Sequence, residues 1–477
     1  LLPLFFVFHS YAENFPLISG KSAVLLFGTY SASFLLFALL GYLISKNWRK
    51  SAVYTVMVMC SFFFFGSFHD LLKIAFGNSI IIKYTFLIPV LFVLYFVVYY
   101  LMKKSKATYQ KLVGYLNIVL AILIVIDLGK LFLFQKPNVD AEALHLSYNK
   151  HDNWEKPDIF FIIADEYIGN KTLKKHFAYD NSAFEKELRT RGFHIVSNSK
   201  SNYNYTPYSV ASILSLNYLK GISTRSNDPK NRNITYKVIN QNTLTDFLSS
   251  LGYTFVNHSL FDLANQPTEV NSMFFLTKEK LITHQTLLGR LDRDVRFNLV
   301  TRFKIDTEIK RLLLSTLENN KKLLNDTYAT INTKAKRPKF VYTHLMMPHY
   351  PYYFDRNGRP YPFDSIMEGK QVDKRQYIEY LQYCNRSFLT LLDTILKNYQ
   401  KPPIIIFMGD HGFRHFTEPV DKEYQFHNLN AIYLPSRDYG DFYDSISAVN
   451  QFRVILNTQF KQKFPLIKDS TIYLKEY

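Results

Sequence analysis

Three short apolar runs in this 477-residue chain each end on side chains suited to binding a metal. Asp158-Ile-Phe-Phe-Ile-Ile-Ala leads into Asp165-Glu166, and Phe340-Val-Tyr-Thr leads into His344 and on to Pro348-His349. Pro403-Ile-Ile-Ile-Phe-Met-Gly leads into Asp410-His411-Gly412. Carboxylate oxygens and imidazole nitrogens together suit a divalent cation such as zinc or manganese, and the donor types do not choose between them. Neighbouring residues of an extended chain point to opposite faces, so only one of Asp165 and Glu166 is expected to ligate. Thr206 is a further candidate. Followed by Pro207 and an apolar helical pattern, it spells a helix start, with Thr as N-cap and Pro at the first helical position. Chemistry is compatible with that spelling. A helix N-terminus offers free N–H groups and a positive dipole end to a phosphate or sulfate, and a hydroxyl beside a metal can attack such a group. His415 and His427 complete the set of candidates.

The runs that carry these residues are short, β-branched or aromatic, and free of charge, the pattern of strands buried on both faces. Helical patterns alternate with them, as in Ser182–Arg191, Asn242–Leu251, Val300–Tyr328 and Lys374–Lys397, with further strands at Tyr253–Asn257 and Ala431–Leu434. Such alternation predicts an α/β domain, a mainly parallel sheet sandwiched by helices. Ligands of open α/β sheets sit beyond the carboxyl ends of the strands. Three ends carrying Asp, Glu and His therefore predict one convergent site.

Composition shifts sharply near residue 137, from Leu, Phe, Val, Ile and Tyr to alternating polar and apolar stretches. Ala23–Ile44, Ala52–Phe68, Tyr84–Met102 and Leu112–Phe134 are candidate membrane spans, since about 20 apolar residues cross a bilayer as a helix. Leu1–Phe8 reads as the tail of a fifth, and the chain starts without Met. The expected organisation is a transmembrane helix bundle over 1–136, a polar connector over 137–157 and an outer domain over 158–477. Lys46, Arg49 and Lys50, with Lys103, Lys104, Lys106 and Lys111, mark two loops as cytoplasmic, which puts the large domain on the outer side. Asp127 and Lys130 lie three apart on one helical face. They read as an ion pair near the outer interface, with a role in lipid passage as the alternative. The net charge of +18 favours anionic lipid head groups as partners. Nucleic acid is not expected outside a membrane. Cys60 and Cys384 fall in different domains, so no disulfide framework is expected.

Taken together, the ordered motifs resemble the alkaline phosphatase/sulfatase superfamily. Within it they are most similar to membrane-anchored sulfatase-like proteins related to lipoteichoic acid synthase and the phosphoethanolamine transferases. The residues that carry the likeness are Pro157 to Asp165, Asn202-Tyr-Asn-Tyr-Thr206, His344-Leu-Met-Met-Pro-His349 and Gly409-Asp410-His411-Gly412. The resemblance implies a sulfatase-like catalytic domain over 158–477, with Asp165 as first metal ligand (Glu166 its rival), Thr206 as ligand and nucleophile, and Asp410 and His411 completing the site. By the same likeness His349 binds the substrate oxyanion or assists the leaving group, and His427 is a second substrate-binding histidine. Sulfatases that form a formylglycine need a Cys/Ser-x-Pro-x-Arg motif, which Thr206 and its neighbours lack. The expected activity is transfer or hydrolysis of a phosphoester at the outer leaflet. One divalent ion, a phosphothreonine intermediate, a lipid or lipid-linked donor (phosphoglycerol or phosphoethanolamine) and a cell-envelope glycan or lipid acceptor complete that expectation. A non-catalytic membrane scaffold or receptor, and a sulfuric-ester hydrolase, are the rival readings.

Overall fold

A computed structural model describes residues 1–77, 79–133, 156–303, 306–333, 336–368 and 372–476. The expected connector 137–157 lies almost wholly outside the described residues. The chain forms two compact units, Leu1–Gln135 with Leu276–Ile309, and Lys136–Phe275 with Lys310–Tyr477. The division thus differs from a single break near residue 137, because 276–309 packs with the N-terminal helices.

The first unit holds α1 (Leu2–Asn14), α2 (Gly20–Ser45), α3 (Trp48–Phe63), α4 (Phe65–Phe76), α5 (Tyr84–Lys104) and α6 (Gln110–Phe132). Three of these, α2, α5 and α6, are long and apolar enough to cross a membrane, and α3 with α4 makes a fourth only as a pair bent by 60°. About five spans were expected. The 13 residues of α1 rise roughly 20 Å, short of a ~30 Å hydrocarbon core. The bend falls at Phe64, next to Gly66, whose N–H donates to the Gln285 carbonyl at 2.7 Å. A Cβ on Gly66 would stand 2.8 Å from the Gln285 carbonyl oxygen, so glycine favours the close approach of the 276–309 segment there. The same segment is held by Arg290, buried against Asp70 and donating to Gln285 Oε1 at 2.7 Å, and by Tyr84 donating to Asp294 Oδ2 at 2.5 Å. Lys130 does pair with Asp127 at 3.1 Å. To that pair α1 adds His9, 2.8 Å from the buried Asp127, and Glu13, 2.7 Å from Lys130. Cys60 and Cys384 are both free thiols.

The second unit is built on six strands: β1 (Ile159–Ala164), β2 (His194–Ile195), β3 (Thr254–His258), β4 (Lys339–Leu345), β5 (Ile404–Gly409) and β6 (Asn430–Tyr433). Their order is β2-β6-β5-β1-β4-β3. The four in the middle and at one edge, β5, β1, β4 and β3, are parallel, while β6 and β2 pair antiparallel. All residues of β1, β4 and β5 are buried, which matches the apolar spelling of β1 and β5, whereas β4 also buries Lys339, Thr343 and His344. Three helices matter for the site: α7 (Thr206–Ser215), α8 (Lys374–Asn398) and α9 (Ala448–Phe460).

Candidate metal centre

Register brings the acids together. Ala164 of β1 faces Leu345 of β4 on one side and Gly409 of β5 on the other, so Asp165 and Asp410 are the first residues beyond a shared ladder. Gly409 has to be glycine, since a Cβ there would stand 2.2 Å from the Tyr167 carbonyl oxygen. Just past Asp165 the chain folds back through Glu166, whose φ of 55° is left-handed, a conformation costing roughly 1–3 kcal/mol for a non-glycine residue. That reversal aims the Glu166 N–H at Asp410 Oδ1, at 2.8 Å, and fixes the carboxylate.

Asp165, Asp410 and His411 are fully buried, and each offers a ligand atom within 4.8 Å of the others. His411 Nδ1 lies 2.7 Å from the Gly412 carbonyl. A carbonyl only accepts, so Nδ1 carries the proton and Nε2 presents its lone pair. That Nε2 lies 3.3 Å from Asp410 Oδ2 and 3.2 Å from the Thr206 hydroxyl. Thr206 opens α7, and the residue at the N-cap is Tyr205, so the expected capping role falls one residue earlier. The Thr206 side chain caps nothing and is left facing His411. Ser209, one turn on, donates to the Asp410 carbonyl at 2.6 Å and locks α7 against the end of β5.

Two features suit the cluster to holding a cation. Asp165 Oδ1 and Asp410 Oδ2 are buried without a hydrogen-bond partner, although buried carboxylate oxygens are costly to leave unpaired. Burial first, and then the charge of Asp410, push the Asp165 carboxyl well above its usual range. A divalent cation removes both penalties, and the O/N donor set fits one.

Support for Asp165 comes from β4. His344 Nε2 lies 3.2 Å from Asp165 Oδ2, and its Nδ1 lies 2.9 Å from the Tyr342 hydroxyl, all buried. The carboxylate accepts from Nε2–H, and Nδ1 accepts from the tyrosine. Burial lowers His344 to about 4, so the ring is neutral and serves as a donor rather than a counter-charge. His349 is close by, its N–H donating to the Asp165 carbonyl at 3.2 Å and its Nδ1 2.5 Å from the Tyr350 carbonyl. Burial, opposed by the Tyr350 carbonyl, lowers it to about 3 and leaves it neutral.

Two further candidates, Glu166 and His427, are not among the three donors of the cluster. Glu166 is buried beside Asp165, but its carboxylate turns to Arg414 N–H, 3.4 Å away, and to His415 Nε2 at 3.8 Å. Burial, partly offset by Arg414, pushes it up to about 8. Asp165, rather than Glu166, joins Asp410 and His411 because the left-handed turn sends the second carboxylate the other way. His427 lies with Glu423, 3.8 Å distant, and with Lys200 and Lys171. Its backbone pairs with Lys200, on the segment that leads to Thr206. Arg414, Tyr342 and the His344 relay were not singled out by spacing. His344 was visible as a strand-end histidine, whereas nothing local marks Arg414.

The motif before Thr206 is an anchor. Asn202 accepts from Val449 N–H at 2.8 Å in the first turn of α9, and Asn204 accepts from Leu474 N–H at 2.9 Å. The Tyr203 hydroxyl accepts from Leu219 N–H at 2.9 Å.

Residues 157–450 match the family model described as Sulfatase. No curated protein matches the chain. Among solved structures, the zinc complex of the C-terminal periplasmic domain of EcEptC from Escherichia coli is similar at 12% identity and a TM-score of 0.39, over 65% of this chain and 84% of that one. The C-terminal periplasmic domain of phosphoethanolamine transferase EptC from Campylobacter jejuni is similar at 14% identity and a TM-score of 0.36, over 66% of this chain and 92% of that one. With the match spanning the whole Asp165-to-His411 site and more than half of the chain, this protein belongs to the sulfatase family.

Proposed function

We propose that the protein is a membrane-anchored, metal-dependent phosphoester transferase or hydrolase that works through a covalent phosphothreonine at Thr206. The observation that carries this reading is the Thr206 hydroxyl, free of any capping bond and 3.2 Å from the lone-pair nitrogen of His411, at the mouth of a cluster with two unpaired buried carboxylate oxygens. Asp165, Asp410, His411 and Thr206 would hold the divalent cation, zinc or manganese, which when bound lowers the hydroxyl pKa and offsets oxyanion charge. Thr206 Oγ1 then forms its bond to phosphorus as the bond to the leaving alcohol breaks. The departing oxygen takes up a proton, and the hydroxyl proton of Thr206 is lost. In the second half-reaction an acceptor alcohol or water attacks the phosphothreonine, and Thr206 recovers its proton. The N-terminal turn of α7 presents backbone N–H groups to the phosphoryl oxygens, and neutral His349, its Nδ1 proton held by the Tyr350 carbonyl, stands near Asp165 with the Nε2 lone pair free to accept a proton.

Phosphorus rather than sulfur is favoured by the nucleophile. Oxidation of a threonine would give a ketone, not the aldehyde of formylglycine. Apolar helices long enough to span a bilayer support a lipid or lipid-linked donor, phosphoglycerol or phosphoethanolamine, met at high local concentration. The positive loops support placement of the site outside the cytoplasmic membrane, with an envelope glycan or lipid as acceptor. The test is Thr206→Ala in the full chain, assayed on bis(4-nitrophenyl) phosphate. Turnover is expected to fall by on the order of 10³-fold or more, with Thr206→Ser retaining measurable rate. Wild-type turnover by Thr206→Ala would remove the covalent route, and absence of both metal and turnover in the wild type would leave a scaffold.

A further inference from the structure

Next to Thr206 the second unit contains a cavity of about 330 Å³ that the reaction above does not use. Its walls include Tyr205, Arg414, Lys422 and, from the C-terminal stretch, Tyr473, Lys475 and Glu476. Three permanent cations face one carboxylate. Among the described residues no ion pair joins Arg414, Lys422 or Lys475 to an acid, and the buried Arg414 Nε has no hydrogen-bond partner. Glu476 is engaged by the Tyr205 hydroxyl, at 3.3 Å. Buried Glu166 offsets part of the Arg414 charge, whereas Lys422 and Lys475 share only Glu476 among the lining residues, and this excess of positive charge attracts an anion.

The cations are held in place. The Arg414 guanidinium lies 4.2 Å from the Tyr205 ring centre, and the Lys422 ammonium 4.4 Å from that of Tyr473. The C-terminal stretch is pinned by Ile472 N–H to the Asn202 carbonyl at 2.8 Å, by Lys475 N–H to the Thr224 carbonyl at 2.8 Å, and by both ends of the Asn204 amide. Asn204 also donates to Gln425 Oε1 at 3.0 Å, on the opposite wall. Preset groups lose less freedom when a ligand arrives. Guanidinium offers a fork and the lysines point charges, a set that fits phosphate oxygens. Tyr205 directly precedes Thr206 and Arg414 follows His411 by three residues, so two walls of the cavity come from the segments that carry the candidate site.

We infer that this cavity binds a second phosphate, carried by the same molecule whose phosphoester meets Thr206, so that the substrate class is a bis-phosphorylated alcohol, glycan or lipid head group. The substrate part of this statement rests on the Thr206 reading, whereas phosphate binding by the cavity does not. Two measurements on the full chain in phosphatidylcholine nanodiscs separate them. Calorimetric titration with inorganic phosphate is expected to show one more bound equivalent in the wild type than in Lys422→Gln/Lys475→Gln, whose cavity affinity falls at least about tenfold. Lys422→Arg/Lys475→Arg keeps the equivalent. Equal stoichiometry and affinity in all three proteins overturns the pocket. Rates are then compared on the 4-nitrophenyl phosphodiester of glycerol and on the same diester with a second phosphate on glycerol. The wild type is expected to prefer the second roughly tenfold, through KM, and the Gln double variant to lose that preference. A preference that survives the double variant, or none in the wild type, overturns the substrate class. Phosphate binding without turnover of either diester keeps the pocket and removes the Thr206 chemistry. Nanodiscs containing phosphatidylglycerol distinguish the source: weaker phosphate binding in the wild type alone identifies a lipid head group, and unchanged binding a non-lipid phosphate.

Discussion

His344 shows most clearly how single side chains set this site. It contacts Asp165 and Tyr342, and its neutral ring orients the carboxylate without adding charge. Outer-shell partners of this kind are worth roughly 10–100-fold in metal affinity. His344→Phe is therefore expected to weaken zinc binding by about that factor, read by competition with a chromophoric chelator, while His344→Gln recovers part of it. Unchanged affinity in His344→Phe would show that Asp165 is held by other means. Asp165, Asp410 and His411 were legible in sequence because each directly follows an apolar run, and a buried strand delivers its next residue to the sheet rim. The resemblance chose Asp165 but kept Glu166 as its rival, because which carboxylate turns inward depends on a left-handed backbone at a non-glycine residue. Arg414 was hidden for a similar reason: its partners, Tyr205 and Glu166, come from two other segments of the chain.

Strand register and helix placement convert these residues into a site. The Ala164–Gly409 pairing sets Asp165 beside Asp410, and it depends on glycine against the Tyr167 carbonyl. Gly409→Ala is expected to cost roughly 1–3 kcal/mol of stability, seen as a lower denaturant midpoint, and to reduce metal content as the two strand ends part. A midpoint equal to wild type would mean the ladder tolerates the shift. Beside β6, His427 links stability to pH. Burial first, then Lys200 and Lys171, lower it to about 4 from an ordinary 6.5. A histidine depressed in the folded state favours folding above its unfolded pKa, and that advantage is lost as pH falls from about 6.5 to about 4. His427→Gln is expected to flatten the fall in thermal midpoint over that range, and an identical slope would exclude the linkage. Strands β1 and β5 were plain in sequence because they carry no charge, and β4 was plain from Phe340 on, Lys339 standing only at its start. The break at Phe64 was not, and the contact made beside it, from Gly66 N–H to the Gln285 carbonyl, joins segments far apart in sequence.

At the scale of the molecule, the first unit is completed by residues 276–309, far along the chain from its other helices. No composition signal announces this, since the segment is polar and its anchors are single contacts. Arg290, 2% exposed, depends on Asp70 for its counter-charge. Asp70→Ala leaves that guanidinium buried and unpaired, at an expected cost of about 3 kcal/mol, while Asp70→Glu costs less. Proteolysis of 276–309 in detergent is the readout, faster in Asp70→Ala, and equal rates would show the pair to be dispensable. The proposed membrane anchoring and phosphoester chemistry meet in one claim, that Thr206 carries the transferred group. Tandem mass spectrometry of the full chain, acid-quenched during turnover with native membrane lipids, tests it directly. The account predicts a phosphate-containing adduct on the peptide bearing Thr206, lost in Thr206→Ala and in metal-chelated protein. Robust turnover with an unmodified Thr206, or an adduct on another residue, would contradict it.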